Sequence, residues 1–241
     1  MEAYFGRGSA YIMLDNYKQA IDDFTNAIKL DPNNVEAYYV RGFAYSELNR
    51  YEQAVKDFTK VIELQPDNAK AYFIRGRAYG ELNRYKQAVK DFTKVIELQP
   101  NYVNAYYGRG FSYSKLSQYK QAIKDLTKAI ELQPDNTEAY YVRGFSYTKL
   151  NKYEQAIKDF TKAIELNPDN PYHYCGRGTA YANLGNYEQA IKDFTKAIKL
   201  NSTYVNAYYL RSICYERIGE TEKAKSDKCM LKLFNKPQWM K

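Results

Sequence analysis

The stretch AYYVRGF occupies residues 37–43 and recurs unchanged at 139–145. The two copies lie 102 residues apart, which is three steps of 34. On the same step of 34, arginine falls at 7, 41, 75, 109, 143, 177 and 211. Glycine follows it at 8, 42, 76, 110, 144 and 178, with Ser212 in the last copy. Alanine recurs at 20, 54, 88, 122, 156, 190 and 224, and proline at 32, 66, 100, 134 and 168. Phenylalanine recurs at 24, 58, 92, 160 and 194, with Leu126 in the fourth slot. Self-similarity at a fixed period of this size is the signature of a repeat architecture. The chain therefore divides into units 1–34, 35–68, 69–102, 103–136, 137–170, 171–204 and a degenerate 205–238, followed by a tail at 239–241.

Each unit reads as two helices. In the fifth, Tyr140, Arg143, Gly144 and Tyr147 are spaced to share one helical face. Asn151 then ends that helix, because asparagine tolerates left-handed turn geometry. Gly185 and Gly219 take the same slot in later units. Tyr153, Ala156, Ile157, Phe160, Ala163 and Ile164 form a second apolar stripe, which Pro168 stops. Asp169 and Asn170 are placed to cap the next helix.

Aromatic at repeat position 4, Gly at 8, Tyr at 11, Ala at 20, aromatic at 24, Ala or Val at 27 and Pro at 32 closely resemble the tetratricopeptide repeat (TPR). The resemblance spans essentially the whole chain in six near-complete copies. It implies an all-α, right-handed superhelical solenoid of antiparallel helix pairs, in which no unit buries its apolar faces alone. The departures lie at the ends. Ser202 replaces the proline of unit six, and unit seven has Ser212, Lys228 and Lys236 where Gly, Phe and Pro are expected. Unit seven thus reads as a cap. Nothing comparable precedes unit one, so the chain reads as a segment of a longer protein.

The resemblance also implies a peptide-binding concave groove lined by first-helix positions 2, 5, 9 and 12. Position 5 holds Phe5, Tyr39, Phe73, Tyr107, Tyr141, Cys175 and Tyr209. Position 9 holds Ser9, Phe43, Arg77, Phe111, Phe145, Thr179 and Ile213. A position-5 aromatic serves packing as readily as binding. The phenylalanines at position 9 are more informative, because exposed rings in a row call for an occupant. The expected site is Tyr39, Phe43, Phe73, Tyr107, Phe111, Tyr141 and Phe145, with Lys70, Arg77 and Asn104 supplying polar contacts. TPR co-chaperones that hold acidic chaperone tails use a carboxylate clamp of Lys, Asn and Arg at first-helix positions 2, 5, 6 and 9. Here position 5 is never Lys, position 6 is always Gly, Val, Ile or Leu, and Lys70 is the lone match. No chaperone-tail clamp is expected.

Arginine at position 7 faces the second helix, level with position 24. This predicts a ladder of partly buried ion pairs with the aspartate at position 23: Arg41 with Asp57, Arg75 with Asp91, Arg109 with Asp125, Arg143 with Asp159 and Arg177 with Asp193, within one repeat or across to its neighbour. One carboxylate per period is a structural device, since acid–base catalysis needs two unlike environments in one cleft.

The net charge of +8 is uneven: −2, −2, +4, +2, 0 and +2 for the first six units and +4 for 205–241. Lysines at 56, 90, 124, 158 and 192, and at 60, 94, 128, 162 and 196, form a ridge on the outer side of the second helices. Glu63, Glu97, Glu131 and Glu165 follow the second set by three residues and offset it. The ridge reads as a solvated face. The rings lie on the other surface, so they do not interleave with the lysines as a single-strand binder needs.

No phosphate loop or nucleophile–base pair stands out, and Cys175, Cys214 and Cys229 lack metal spacing. His173, the single histidine, stands at position 3 beside Pro171 and is expected to be exposed or half-buried in place of the usual Ala. No cofactor or metal is expected. No apolar run of eighteen or more residues and no signal peptide are seen, so the location expected is cytoplasmic. The leading reading is a non-catalytic scaffold binding a peptide segment of another protein. The alternatives are the partner-selecting array of a larger enzyme or assembly factor, and a nucleic-acid or membrane binder using the lysine ridge.

Overall fold

The computed structural model describes residues 1–234, with side chains through Lys232. Lys236 and the tail 239–241 lie outside the described residues. Among the described residues there are fourteen α-helices and no strand. They are α1 (Glu2–Met13), α2 (Tyr17–Leu30), α3 (Val35–Glu47), α4 (Tyr51–Leu64), α5 (Ala69–Glu81), α6 (Tyr85–Leu98), α7 (Val103–Lys115), α8 (Tyr119–Leu132), α9 (Thr137–Lys149), α10 (Tyr153–Leu166), α11 (Pro171–Asn183), α12 (Tyr187–Leu200), α13 (Val205–Arg217) and α14 (Thr221–Phe234). Odd-numbered helices open each repeat and even-numbered ones close it, at the 34-residue period of the sequence. The chain forms two compact units, Met1–Gln118 and Tyr119–Lys241. Within each, a helix packs against the one before it and the one after it.

The turn inside each repeat is set by one residue in the left-handed region. Asp15, Asn49, Asn83, Ser117 and Asn151 have φ between 54° and 59°, and Gly185 and Gly219 have φ of 80° and 81°. The Asx side chains also accept from the tyrosine two residues on, as Asn83 does from the Tyr85 hydroxyl at 2.6 Å. At the next helix start, Asn34, Asn68 and Asn136 accept from the backbone N–H of Ala37, Ala71 and Ala139, and Asn170 from that of Tyr172.

Two glycines test these rules with opposite signs. A Cβ added to Gly80 or to Gly185 would meet nothing within 4 Å, so only the backbone decides. Gly80 is helical, and Gly80→Ala is expected to stabilise the chain by up to about 1 kcal/mol. Gly185 has φ of 80°, and Gly185→Ala is expected to destabilise it by about 1 kcal/mol. Urea midpoints that moved the same way would contradict this account.

The core is one residue deep and repeats along the chain. Ala20, Phe24 and Ala27 are fully buried, as are Ala54, Phe58 and Val61, and Ala190, Phe194 and Ala197. The position-24 ring presses on the glycine at position 8 of its own repeat. A Cβ on Gly8, Gly42, Gly76, Gly144 or Gly178 would approach that ring to 2.9–3.1 Å. Repeat seven changes both partners together. Lys228 replaces the ring and turns outward to Glu216, while Ser212 fills the vacated glycine slot, fully buried, and donates to the Tyr209 carbonyl at 2.8 Å.

Candidate functional site: an aromatic cleft on the first helices

The site grows out of the same core ring. At position 5, Phe5, Tyr39, Phe73 and Tyr141 rest on Phe24, Phe58, Phe92 and Phe160, with ring centroids 5.4–5.8 Å apart. These position-5 rings are half-buried and belong to the packing. The angle between the rings depends on a residue in the next repeat. Where position 6 there is Val40 or Ile74, one helix beyond Phe24 or Phe58, the rings meet edge-on at 80° and 85°. Where it is Gly108 or Gly176, beyond Phe92 or Phe160, they tilt to 55° and 58°. A Cβ on Gly108 would lie 2.7 Å from Phe92, and one on Gly176 would lie 2.6 Å from Phe160. The position-6 glycine is therefore the space into which the core ring leans.

In Met1–Gln118 this opens a cleft of about 580 Å³ between α5 and α7. Phe92 and Gly108 form its floor, Phe73, Tyr85, Tyr107 and Phe111 its aromatic walls, and Arg77, Glu81, Asn83, Asn104, Ser112 and Lys115 its polar groups. Gly76 and Gly80 line the same cleft. The Lys115 ammonium stands 5.2 Å from the centre of the Phe111 ring. A smaller recess of about 260 Å³ lies one repeat earlier, with Phe43, Tyr51 and Arg77 among its lining.

The structure thus brings Phe73, Arg77, Asn104, Tyr107 and Phe111 together. Phe43 lies in the recess, edge-on to Tyr17 at 6.4 Å. Tyr39 lies against the core, and Lys70 is exposed outside both hollows. Tyr141 and Phe145 belong to the second unit, where Phe145 is 39% exposed with the Lys149 ammonium 5.2 Å from its ring. Gly80, Gly108 and Tyr85, which complete the cleft, are absent from the residues that sequence reasoning singles out, and Gly76 is read there as packing alone. The signal available was the position-6 glycine, whose effect is visible only beside the ring it accommodates.

The arginines at position 7 turn away from the cleft. In Arg41, Arg75, Arg143, Arg177 and Arg211, Nε and Nη2 donate to both carboxylate oxygens of Asp57, Asp91, Asp159, Asp193 and Asp227, at 2.7–2.8 Å. Their Nη1 reaches back to a threonine of the preceding repeat, as Arg41 does to Thr25 at 3.0 Å and Arg75 to Thr59 at 3.0 Å. Arg109 likewise donates to Thr93 at 3.0 Å, and Asp125 is buried. Burial pushes the Asp57, Asp91 and Asp159 carboxyls above their ordinary value, by more than the arginines pull them down. At Asp23, whose partner Arg7 is 59% exposed, the hydrogen bond to the arginine dominates and holds the carboxyl below its ordinary value.

His173 corrects the expectation of an exposed or half-buried side chain: it is 1% exposed. From the second repeat onward position 3 is a buried slot, with Ala37, Ala71, Ala105, Ala139 and Ala207 at 0%, whereas Ala3 is exposed. The imidazole Nδ1 lies 3.3 Å from the Asn167 carbonyl, and Nε2 is buried without a hydrogen-bond partner among the described residues. Tyr141 lies 5.5 Å away. Burial lowers the His173 pKa, outweighing the raising pull of the Asn167 carbonyl and Glu138. The folded chain therefore holds the neutral ring, whereas the unfolded chain takes a proton near pH 6.5. This contribution to stability is present above about pH 6.5 and is lost as pH falls below it. Between pH 7.5 and 5, the urea midpoint of the wild type is expected to fall further than that of His173→Ala. Equal shifts would contradict the assignment.

The ridge lysines Lys60, Lys94, Lys128 and Lys162 pair with Glu63, Glu97, Glu131 and Glu165 at 3.0–3.4 Å. Among the described residues no three His, Cys, Asp or Glu side chains gather as a metal site. No described helix is long and apolar enough to cross a membrane.

Fold and cleft together define an all-α tandem-repeat protein of the solenoid class, whose repeats present an aromatic hollow on their first helices. The tetratricopeptide repeat model matches residues 2–34, 35–68, 103–136, 137–170 and 171–204, and related TPR models match 76–117, 58–90 and 194–226. The chain belongs to the tetratricopeptide repeat family. No curated protein sequence matches it. Among solved structures, that of MamA is similar at 28% identity and a TM-score of 0.65, covering 67% of this chain and 94% of MamA. That of YrrB, described as a TPR protein with an unusual peptide-binding site, is similar at 27% identity and a TM-score of 0.67, covering 77% of this chain and 96% of YrrB. A TPR protein from Parabacteroides merdae shares the fold over 99% of this chain and 94% of its own, at 20% identity and a TM-score of 0.75. Proteins of this repeat family are in general interaction scaffolds rather than catalysts.

Proposed function

We propose that this chain is a non-catalytic scaffold that binds a peptide segment of a partner protein on the aromatic face of its first helices. The observation that carries this reading is the cleft of about 580 Å³ between α5 and α7, which gathers Phe73, Tyr107 and Phe111 with Arg77 and Asn104. Aromatic rings beside arginine and amide groups are the side chains that dominate peptide and protein interfaces. The peptide-binding site of the similar protein YrrB supports the same use of the fold. The partner is not a chaperone tail held by a carboxylate clamp, since position 5 is never Lys and position 6 is never Asn or Arg. Four of the ten ridge lysines are offset by glutamates, and the ridge carries no rings among them, which makes nucleic acid a poor fit.

The reading is tested by affinity capture and peptide-array binding with the wild type and a Phe43→Ala, Phe111→Ala, Phe145→Ala triple variant. Binding is expected to weaken at least tenfold while helicity is unchanged. Partners retained in full by the triple variant would overturn it.

A further inference from the structure

Resting on that reading, we infer that the cleft between α5 and α7 is an anchor pocket for an aromatic side chain flanked by a carboxylate, on an acidic partner peptide. Three observations converge on that chemistry. First, the pocket holds about 580 Å³ against about 260 Å³ for the recess one repeat earlier. Gly108 lets Phe92 lean over, and Gly80 leaves a gap in which a Cβ would meet no atom within 4 Å. Other repeats place Ser46, Ser114 or Thr148 at the position of Gly80 and Val40, Ile74 or Val142 at that of Gly108. Only repeats three and four combine the two glycines at one junction, and the cavity lies there.

Second, the walls are ring edges and faces. Phe73 is tilted 55° to Phe92, and Tyr107 lies 6.3 Å from Phe111 at 36°. A planar ring inserted among them finds offset and edge-on partners at once, which an aliphatic side chain cannot use.

Third, the rim carries cations without acidic partners. Arg77 and Lys115 are in no ion pair among the described residues, and Lys115 is held over the Phe111 ring. Glu81 is the acidic residue in the lining, so the pocket keeps an excess of positive charge. The repeats that form it carry net charges of +4 and +2, against −2 for each of the two before them. An arginine fork and an ammonium beside a ring favour a carboxylate next to the inserted aromatic.

The test is selection of a random dodecapeptide library on the full chain, in parallel with Gly80→Leu and with Arg77→Glu/Lys115→Glu. Gly80→Leu fills the open gap on a helical position and leaves the fold intact, which a melting curve verifies. Selected peptides are expected to carry Phe, Tyr or Trp beside Asp or Glu, and to bind Gly80→Leu at least tenfold more weakly. The charge-reversed variant is expected to select Lys or Arg in the flanks instead. Enriched peptides without an aromatic–acidic pair would overturn the inference. So would peptides that bind Gly80→Leu as well as wild type but lose binding to the position-9 triple variant, a result that leaves the broader proposal standing. A library that yields no enriched peptide overturns both.

Discussion

Asp57→Ala is expected to destabilise the chain by about 3–5 kcal/mol, because it strands a charged guanidinium inside the array. Asp57 is 4% exposed and Arg41 has a side-chain exposure of 15%, so water does not replace the lost carboxylate. Arg41 keeps its bond to Thr25 across the repeat junction, but two of its donors lose their acceptors. Burial already works against the Asp57 charge, so the pair is not a large net source of stability. The second half of the prediction follows from this. A double variant, Arg41→Met with Asp57→Leu, is expected to recover most of the loss, since matched apolar groups need no partners. Urea unfolding of the singles and the double measures the coupling. A double variant as unstable as Asp57→Ala would show that the pair supplies stability rather than alignment.

Phe58→Ala is expected to cost about 3–5 kcal/mol as well, by a different route. The ring is fully buried, wedged against Gly42 and stacked edge-on under Tyr39 at 5.5 Å. Its removal leaves a cavity that the helices of a repeat pair cannot close, since the glycine offers no side chain to move in. Phe58→Leu is expected to cost under about 1.5 kcal/mol, because leucine already fills this slot at Leu126. Arrays of repeats do not always unfold as one unit. Hydrogen exchange resolved along the chain is therefore the better measurement, with protection lost first in α3 and α4. A uniform loss along Met1–Gln118 would contradict local coupling.

The period made the architecture legible because every repeat solves the same packing problem with the same residues. The fourteen helices of the described residues, their left-handed turns at Asn151, Gly185 and Gly219, and the cap at Asn170 follow from spacing and residue type. The burial of His173 follows from its slot and not from its polarity. From repeat two onward position 3 is sealed, and the fold buries whatever stands there. The cleft was legible only in part. Phe73, Tyr107 and Phe111 stand out by type, but their gathering depends on the tilt of Phe92. That tilt is set by Gly108, a residue on the next helix whose contribution is the absence of a side chain. A pattern search for groups that are present passes over such a position.

The arginine-to-threonine bond across each junction has a consequence for how such a chain can change length. Arg41 meets Thr25, and Arg75 meets Thr59, through the same two atoms at the same 3.0 Å. The joint does not distinguish which repeat stands on either side. Excising residues 69–102 as one block would bring Arg109 opposite Thr59, with a donor and an acceptor of unchanged kind. Duplication or loss of whole 34-residue blocks thus keeps an arginine opposite a threonine at every seam. Growth and shrinkage by entire modules is the mode of variation this seam permits.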